Sequence, residues 1–344
     1  MAEAATQQRL ARDGAGHIIH TPVMAGRIVE LLAPALDHPG AVLVDGTLGM
    51  AGHAAALLEA CPQARLVGID RDGAALQVAT TRLADEAGRA ELVRARFDEL
   101  DDVLDALGLR FVDAVLFDLG LSSLQIDTVD RGFAYATDAP LDMRMDDRQA
   151  ISAAQVVNTD DAGQLTRIFR DLGEEPHAAR IAAAIVAARE TQPIETSGQL
   201  VAIVREALPA SVRYASGRGH PAKRVFQALR IEVNGELDAL RAVLPQALAR
   251  LAPGGRMAVL SYHSLEDRLV KQAFARATRD EAPRGLPVVP VELQAKFTPL
   301  TRGAQRPDPA EAAANPRAAS AKLRAVARKP AADAAPAPTS EEHR

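Results

Sequence analysis

Short apolar runs, each closed by an acid or a turn, recur along the chain. Residues 41–45 read AVLVD and are followed by Gly46; 65–70 read RLVGID; 112–118 read VDAVLFD; 256–262 read RMAVLSY after the turn Pro253-Gly254-Gly255. Runs of this length, bounded by Gly, Pro or Asp, predict buried parallel strands. A further run at 91–96 leads into Phe97, and helical patterns fill 54–60 and 73–84. Strands alternating with helices predict a doubly wound α/β sheet.

One crossover is far longer than a βαβ unit needs, because 138 positions separate Asp118 from Arg256. The excess is patterned as helix. Residues 161–172 and 177–190 carry apolar positions at helical spacing, with Ile181 and Ile185 four apart. In the helix leading back to the sheet, Leu237, Leu240, Leu244, Leu248 and Leu251 recur at steps of three and four, and Pro245 is expected to kink or restart it. The pattern predicts a sheet domain from 17–122 and 229–329, an inserted helical domain at 123–228, and disordered tails at 1–16 and 330–344.

The 344 residues are 48% hydrophobic, enough for a sizeable core, but only 3% aromatic with no Trp, so Leu, Val, Ile and Ala must fill it. The lone Cys61 forms no internal disulfide, which fits a reducing cytosol. The first residues, MAEAATQQRLARDG, lack an apolar signal core, and the longest apolar run, Ile181–Ala188, is too short to span a bilayer. Together these predict a cytoplasmic protein. The net charge of −5 argues against a nucleic-acid partner until its distribution is read. Residues 205–230 hold six Lys/Arg against Glu206, 302–329 hold seven against Asp308 and Glu311, and 98–118 hold seven acids against Arg110. Local patches govern phosphate binding more than the total does, although such patches also occur as plain solvated faces.

Candidate chemistry gathers at the strand ends. Gly46, Gly49 and Gly52, three apart, lie between the first strand and a helix and permit a sharp turn with close ligand approach. Asp70 ends the second strand, where an acid can accept from both ribose hydroxyls of an adenosine. Phe97 offers a ring for adenine, and Asp118 ends the third clear strand. Ligands bind at this edge of open α/β sheets. NAD would want G-x-G-x-x-G for its pyrophosphate; here the glycines run G-x-x-G-x-x-G after an acid. A carboxylate-rich edge suits the ammonium and sulfonium of S-adenosylmethionine better.

Longer blocks sharpen the reading. His20-Thr21-Pro22-Val23, Asp45-Gly46-Thr47, Asp118 through Gln125 (DLGLSSLQ), Arg131-Gly132-Phe133, Pro140 through Met145 (PLDMRM), His220-Pro221-Ala222, Phe226-Gln227-Ala228 with Arg230-Ile231, Ser261 through Arg268 (SYHSLEDR), Asn315-Pro316-Arg317 and Leu323-Arg324 occur in that order. Over about 17–328 the chain resembles the ribosomal RNA small subunit methyltransferase H (MraW) family. The resemblance implies a Rossmann-like class I methyltransferase sheet with the inserted helical domain serving substrate recognition. It also implies N4-methylation of cytidine 1402 in 16S rRNA of the small ribosomal subunit, with S-adenosylmethionine as cofactor. The family's cofactor contacts carry over to Ala51, Gly52, His53, Asp70, Phe97, Asp118 and Gln125. On residues alone His53 reads as a helix-start residue and Gln125 as a surface loop residue. Three departures stand out: Ala51 replaces a usual Gly, which is strained if φ is positive; Pro176-His177 follows Gly173-Glu174-Glu175 in place of a basic–aromatic pair; Tyr262 replaces a usual Phe.

The implied reaction needs alignment of amine, methyl and sulfur and an acceptor for the amine hydrogens. Asp142, Arg144 and His263 are candidates for handling the base. Asp142 with Arg144 reads equally well as a mutual ion pair, and His263 as a loop anchor. No metal is expected, since no Cys–His group has ligand spacing. Lys223, Arg224 and Arg230 are candidate RNA contacts, and with few aromatics recognition is expected to lean on RNA shape and Arg contacts more than on stacking. The alternatives are an NAD-dependent oxidoreductase and a non-catalytic RNA-binding assembly factor. Oligomeric state is not legible.

Overall fold

The computed structural model describes residues 22–213, 220–283, 289–315 and 317–330. The expected tail at 1–16, all of the expected tail at 330–344 except Pro330, His20 and Thr21, Arg218 of the basic segment, and Pro316 lie outside these residues. In chain order the elements are α1 (Ala25–Leu36), β1 (Val42–Asp45), α2 (Gly52–Ala60), β2 (Arg65–Asp70), α3 (Gly73–Arg82), β3 (Ala90–Arg94), α4 (Leu100–Ala106), β4 (Val112–Asp118) and α5 (Ser123–Asp127). Then come α6 (Ala153–Thr159), α7 (Ala162–Asp171), α8 (Ala178–Arg189), α9 (Ser197–Ala207), α10 (Ala210–Arg213), α11 (Lys223–Asn234) and α12 (Glu236–Arg250). The chain ends with β5 (Leu251–Ser261), α13 (Ser264–Ala277), β6 (Phe297–Pro299), α14 (Pro309–Ala314) and β7 (Lys322–Arg328).

The strands form one mixed sheet in the order β3-β2-β1-β4-β5-β7-β6. The first five are parallel, as the apolar runs required, while β7 pairs antiparallel with both β5 and β6. The Pro253-Gly254-Gly255 turn lies inside β5 as a bulge: register jumps from Val112 opposite Leu251 to Ala114 opposite Arg256. Apolar clusters cover both faces of the sheet. Ile28, Leu32 and Leu57 belong to one, and Leu104, Leu240 and Phe274 to the other. Helix α12 runs through Pro245 without restarting, so of the two expected outcomes the restart does not occur.

The segment between β4 and β5 is helical and has a buried cluster of its own, including Leu141, Phe169, Ile181, Leu200 and Phe226. Its last helix, α11, reaches Asn234 and closes at Gly235 in the left-handed conformation (φ 59°). The buried side chains of this cluster extend to Val233, beyond the residue 228 expected from the pattern. Among the described residues no helix is long and apolar enough to cross a membrane.

Candidate functional site

The carboxyl ends of β1, β2 and β4 bring Asp45, Asp70 and Asp118 to one edge of the sheet, and all three line a cavity of about 670 Å³. The Gly-rich turn forms the floor. A Cβ on Gly46 would collide with the ring of Phe117, and Gly49 takes a positive φ of 52°, so both positions need glycine. Asp70 shapes this turn: its Oδ2 accepts from the Gly49 N–H (2.7 Å) and its Oδ1 from that of Asp72 (2.8 Å). Thr47 ties the neighbouring strands together, donating its N–H to Asp45 Oδ1 (3.1 Å) and accepting the Asp118 N–H on Oγ1 (2.6 Å).

Crowding three carboxylates into a recess makes the site hungry for cations. Burial pushes the Asp45 carboxyl up to about 7, against the N–H of Thr47, with Asp118 and Asp70 adding repulsion. Burial likewise lifts Asp118 to about 7, opposed by the Tyr262 hydroxyl and reinforced by Glu266. Asp70 moves up for the same first reason, restrained by its two N–H donors. His53 goes the other way: burial, helped by Arg82, lowers it to about 4, so its ring is neutral near pH 7. Its Nε2 lies 2.9 Å from the Val23 carbonyl and must carry the proton, leaving Nδ1 as a lone pair 3.9 Å from Asp118 Oδ2.

The expected cofactor residues meet here with one qualification. Gly52, His53, Asp70, Phe97, Asp118 and Gln125 all line the cavity. Ala51 does not; its side chain is fully buried and only its backbone adjoins the turn. It caps α2 at φ 59°, the strained conformation that the sequence departure raised. Gln125 is not a surface residue but 5% exposed, donating Nε2–H to Asp72 Oδ2 (2.9 Å) and accepting the Ser122 N–H (3.1 Å). Arg131 donates to the same Asp72 oxygen (3.1 Å) and to the carbonyls of Arg144 and Met145, tying the helical segment to the cavity wall.

The catalytic candidates read from sequence fall elsewhere. Asp142 and Arg144 do not line the cavity; they form a fork-to-fork pair (Nε–Oδ1 2.9 Å, Nη2–Oδ2 2.7 Å), and Arg144 also donates to the Gln149 carbonyl. Each satisfies the other, so they brace a loop and are not free to handle a base. His263 is also off the cavity wall, its Nε2 3.0 Å from Glu266 Oε1. Glu236, His263 and Glu266 offer ligand atoms within 4.8 Å of one another. The Arg230 guanidinium already supplies the cation, donating to both Glu236 oxygens at 2.8 Å.

That pairing bears on a second expectation. Arg230 lines the cavity but is 14% exposed and directs Nε and Nη2 to Glu236, so most of its charge is spent inside the fold. Lys223 and Arg224 are exposed at the start of α11, and Lys223 alone of the two lines the cavity. The few aromatics are concentrated where the sequence did not foretell. Phe133, Tyr135 and Phe226 line the cavity together, Tyr135 meeting Phe226 edge-on (5.9 Å) and stacking on His220 (4.5 Å). Tyr262, noted only as a departure, donates its hydroxyl to Asp118 Oδ1 at 2.7 Å. Aromatic side chains thus line the cavity despite the low aromatic content.

Comparison with known proteins bears on the family. The MraW methylase family model matches residues 17–329. Ribosomal RNA small subunit methyltransferase H of Cutibacterium acnes is 56% identical over 335 residues, covering 97% of this chain and 98% of that one. The protein of the same name from Thermobifida fusca is 57% identical over 309 residues, covering 90% and 93%. A solved rRNA methylase from Streptococcus thermophilus aligns over 90% of this chain and 99% of its own, at 12% identity and a TM-score of 0.40, a likeness too low to carry weight. The sheet, the carboxylate-lined cavity at its edge and a match over nearly the whole chain lead to one conclusion: this chain belongs to the MraW methylase family and is a methyltransferase.

Proposed function

We propose that the protein transfers a methyl group from S-adenosylmethionine to the N4 amine of one cytidine of 16S rRNA, cytidine 1402, in the small ribosomal subunit. The observation that carries this reading is one cavity in which a carboxylate-rich half meets an aromatic, lysine-bearing half. The donor brings an electrophilic methyl on a sulfonium, together with an ammonium. Asp45, Asp70 and Asp118 supply the complementary charge, and no phosphate group has to be accommodated. In this reading Asp70 accepts from the ribose hydroxyls and Phe97 lies against the adenine face, which their positions in the cavity wall beside Gly52, His53 and Gln125 support, and Ala51 acts through its backbone. A cytosine must leave its helix to enter. Phe133, Tyr135 and Phe226 offer it apolar and aromatic surface, and Lys223 with Arg224 offers charge to the RNA backbone.

In this reading residues 17–122 and 229–329 form the cofactor-binding domain and the inserted helical domain, 123–228 extended to Gly235, frames the target base. The protein works in the cytoplasm, where its ribosomal substrate resides and where Cys61 stays reduced. Two measurements test it. Calorimetry should show S-adenosylhomocysteine binding and no NAD binding, and tritiated methyl groups should pass from S-adenosylmethionine to small ribosomal subunits that lack the modification. NAD binding in place of S-adenosylhomocysteine, or cofactor binding with no transfer to the subunit, would overturn the proposal.

A further inference from the structure

The three strand-end carboxylates differ in how far the protein itself engages their oxygens. Both oxygens of Asp70 accept backbone N–H groups, and Asp45 is only 2% exposed and bonded to Thr47. Asp118 differs. Its Oδ1 accepts from the Tyr262 hydroxyl, while among the described residues its Oδ2 has no hydrogen-bond donor. His53 Nδ1 lies 3.9 Å away, and that nitrogen offers a lone pair because Nε2 holds the proton. Asp118 nonetheless keeps 29% of its side chain open to the cavity. A carboxylate oxygen facing a ligand cavity without an internal donor is set up to accept hydrogen from what enters.

We propose that Asp118 accepts the proton of the target amine through Oδ2, and that Tyr262 is the positioning residue that fixes its carboxyl. This rests on the function proposed above and adds the acceptor it lacked once Asp142, Arg144 and His263 were found off the cavity wall. The balance is complete. The amine lone pair forms the N–CH₃ bond as the S–CH₃ bond breaks, and that bonding pair stays on sulfur as a neutral thioether. The nitrogen, now cationic, gives one proton to Asp118 Oδ2, leaving a neutral methylamine and a neutral carboxylic acid. The groups facing Asp118 are His53 from α2, Asp45 from β1, and Tyr262 and Glu266 from the turn and helix after β5. None is a cation near neutral pH, so the carboxyl can hold a proton and release it again there.

The test uses the full-length protein and single-turnover methyl transfer to small ribosomal subunits at saturating S-adenosylmethionine, with S-adenosylhomocysteine affinity measured in parallel. Asp118→Asn should lose about 10²–10⁴-fold in rate at saturating cofactor, a deficit larger than the accompanying loss of S-adenosylhomocysteine affinity, since Asp118 also lines the cofactor wall. Tyr262→Phe removes the bond that holds the carboxyl down, so the acid limb of the pH–rate profile, expected near 7, should move to higher pH. In the free protein the ¹³C carboxyl signal assigned to Asp118 by its loss in Asp118→Asn should move the same way, a readout independent of turnover. Transfer by Asp118→Asn within threefold of the unsubstituted rate overturns the proposal. So does a loss of cofactor affinity that accounts for its whole deficit, or an unmoved limb and carboxyl signal in Tyr262→Phe. If the unsubstituted protein binds S-adenosylhomocysteine yet transfers nothing to the subunit, the functional reading falls first and this assignment with it.

Discussion

At the scale of single residues, the cavity is bought with stability. Asp45 is buried with a carboxyl lifted to about 7, so above that pH an uncompensated charge sits in the fold. Because the folded state holds this proton between the ordinary value of 3.8 and about 7, Asp45 lowers stability as pH rises through that window. Asp45→Asn should therefore raise the melting temperature of the ligand-free protein at pH 8, with the gain shrinking towards pH 5; a melting temperature that is lower at pH 8 would refute the assignment. The strand-end acids Asp70 and Asp118 were legible in sequence because a short apolar run ending in Asp fixes which end of the strand the side chain occupies. The Tyr262 hydroxyl was not, since it reaches Asp118 across 144 positions of chain through β4–β5 pairing. Gln125 was misread as exposed because its burial depends on Asp72, whose second partner, Arg131, comes from the helical segment.

At the scale of elements, the parallel strands declared themselves by apolar runs, and the missed ones have physical excuses. Strand β6 is three residues long, and β7 reads KLRAVAR, with polar side chains interrupting any apolar run. Helix α12 passes Pro245 because that residue lies on the exposed face while Leu240, Val243, Leu244 and Ala247 are packed against the sheet; packing outweighs one lost backbone bond. Helix α11 separates two kinds of basic residue. Lys223→Ala with Arg224→Ala should weaken binding to ribosomal subunits and flatten its salt dependence while leaving cofactor affinity intact. An unchanged salt slope would make this end of the helix an ordinary solvated face. Arg230→Ala should instead destabilise the fold by about 3–5 kcal/mol, because Glu236 would be left buried and unpaired. Thermal melts of the two sets of variants distinguish the roles, and an Arg230→Ala protein as stable as its parent would contradict the pairing.

At the scale of the whole molecule, the sheet and the helical segment have separate cores but are laced together at the cavity. Arg131 holds Asp72, Arg71 donates to the Asn234 carbonyl (2.9 Å), and Arg94 pairs with Asp146 (3.2 Å). The negative total charge concealed this arrangement, since acids crowd the cavity edge while Lys223 stands in its wall and Arg224 is exposed beside it on α11. A chain lacking 129–234, closed by a short Gly/Ser linker, should keep its strand signal in circular dichroism and bind S-adenosylhomocysteine more weakly than the parent, with no methyl transfer. Loop closure itself costs little. Ending the deletion at 225 should be worse, because it strands half of α11 with Phe226, Leu229 and Val233 uncovered. Equal behaviour of the two truncations would show that α11 does not belong to the helical core.

The central claim is methyl transfer to one cytidine of the small-subunit RNA, and mass spectrometry of 16S rRNA tests it most directly. RNA from cells with the protein and from cells in which its gene is deleted should be digested and compared. The account predicts a single fragment in which one cytidine loses one methyl mass on deletion and regains it when the protein is restored, but not when the Asp118→Asn protein is supplied. Identical fragment masses with and without the protein would contradict it.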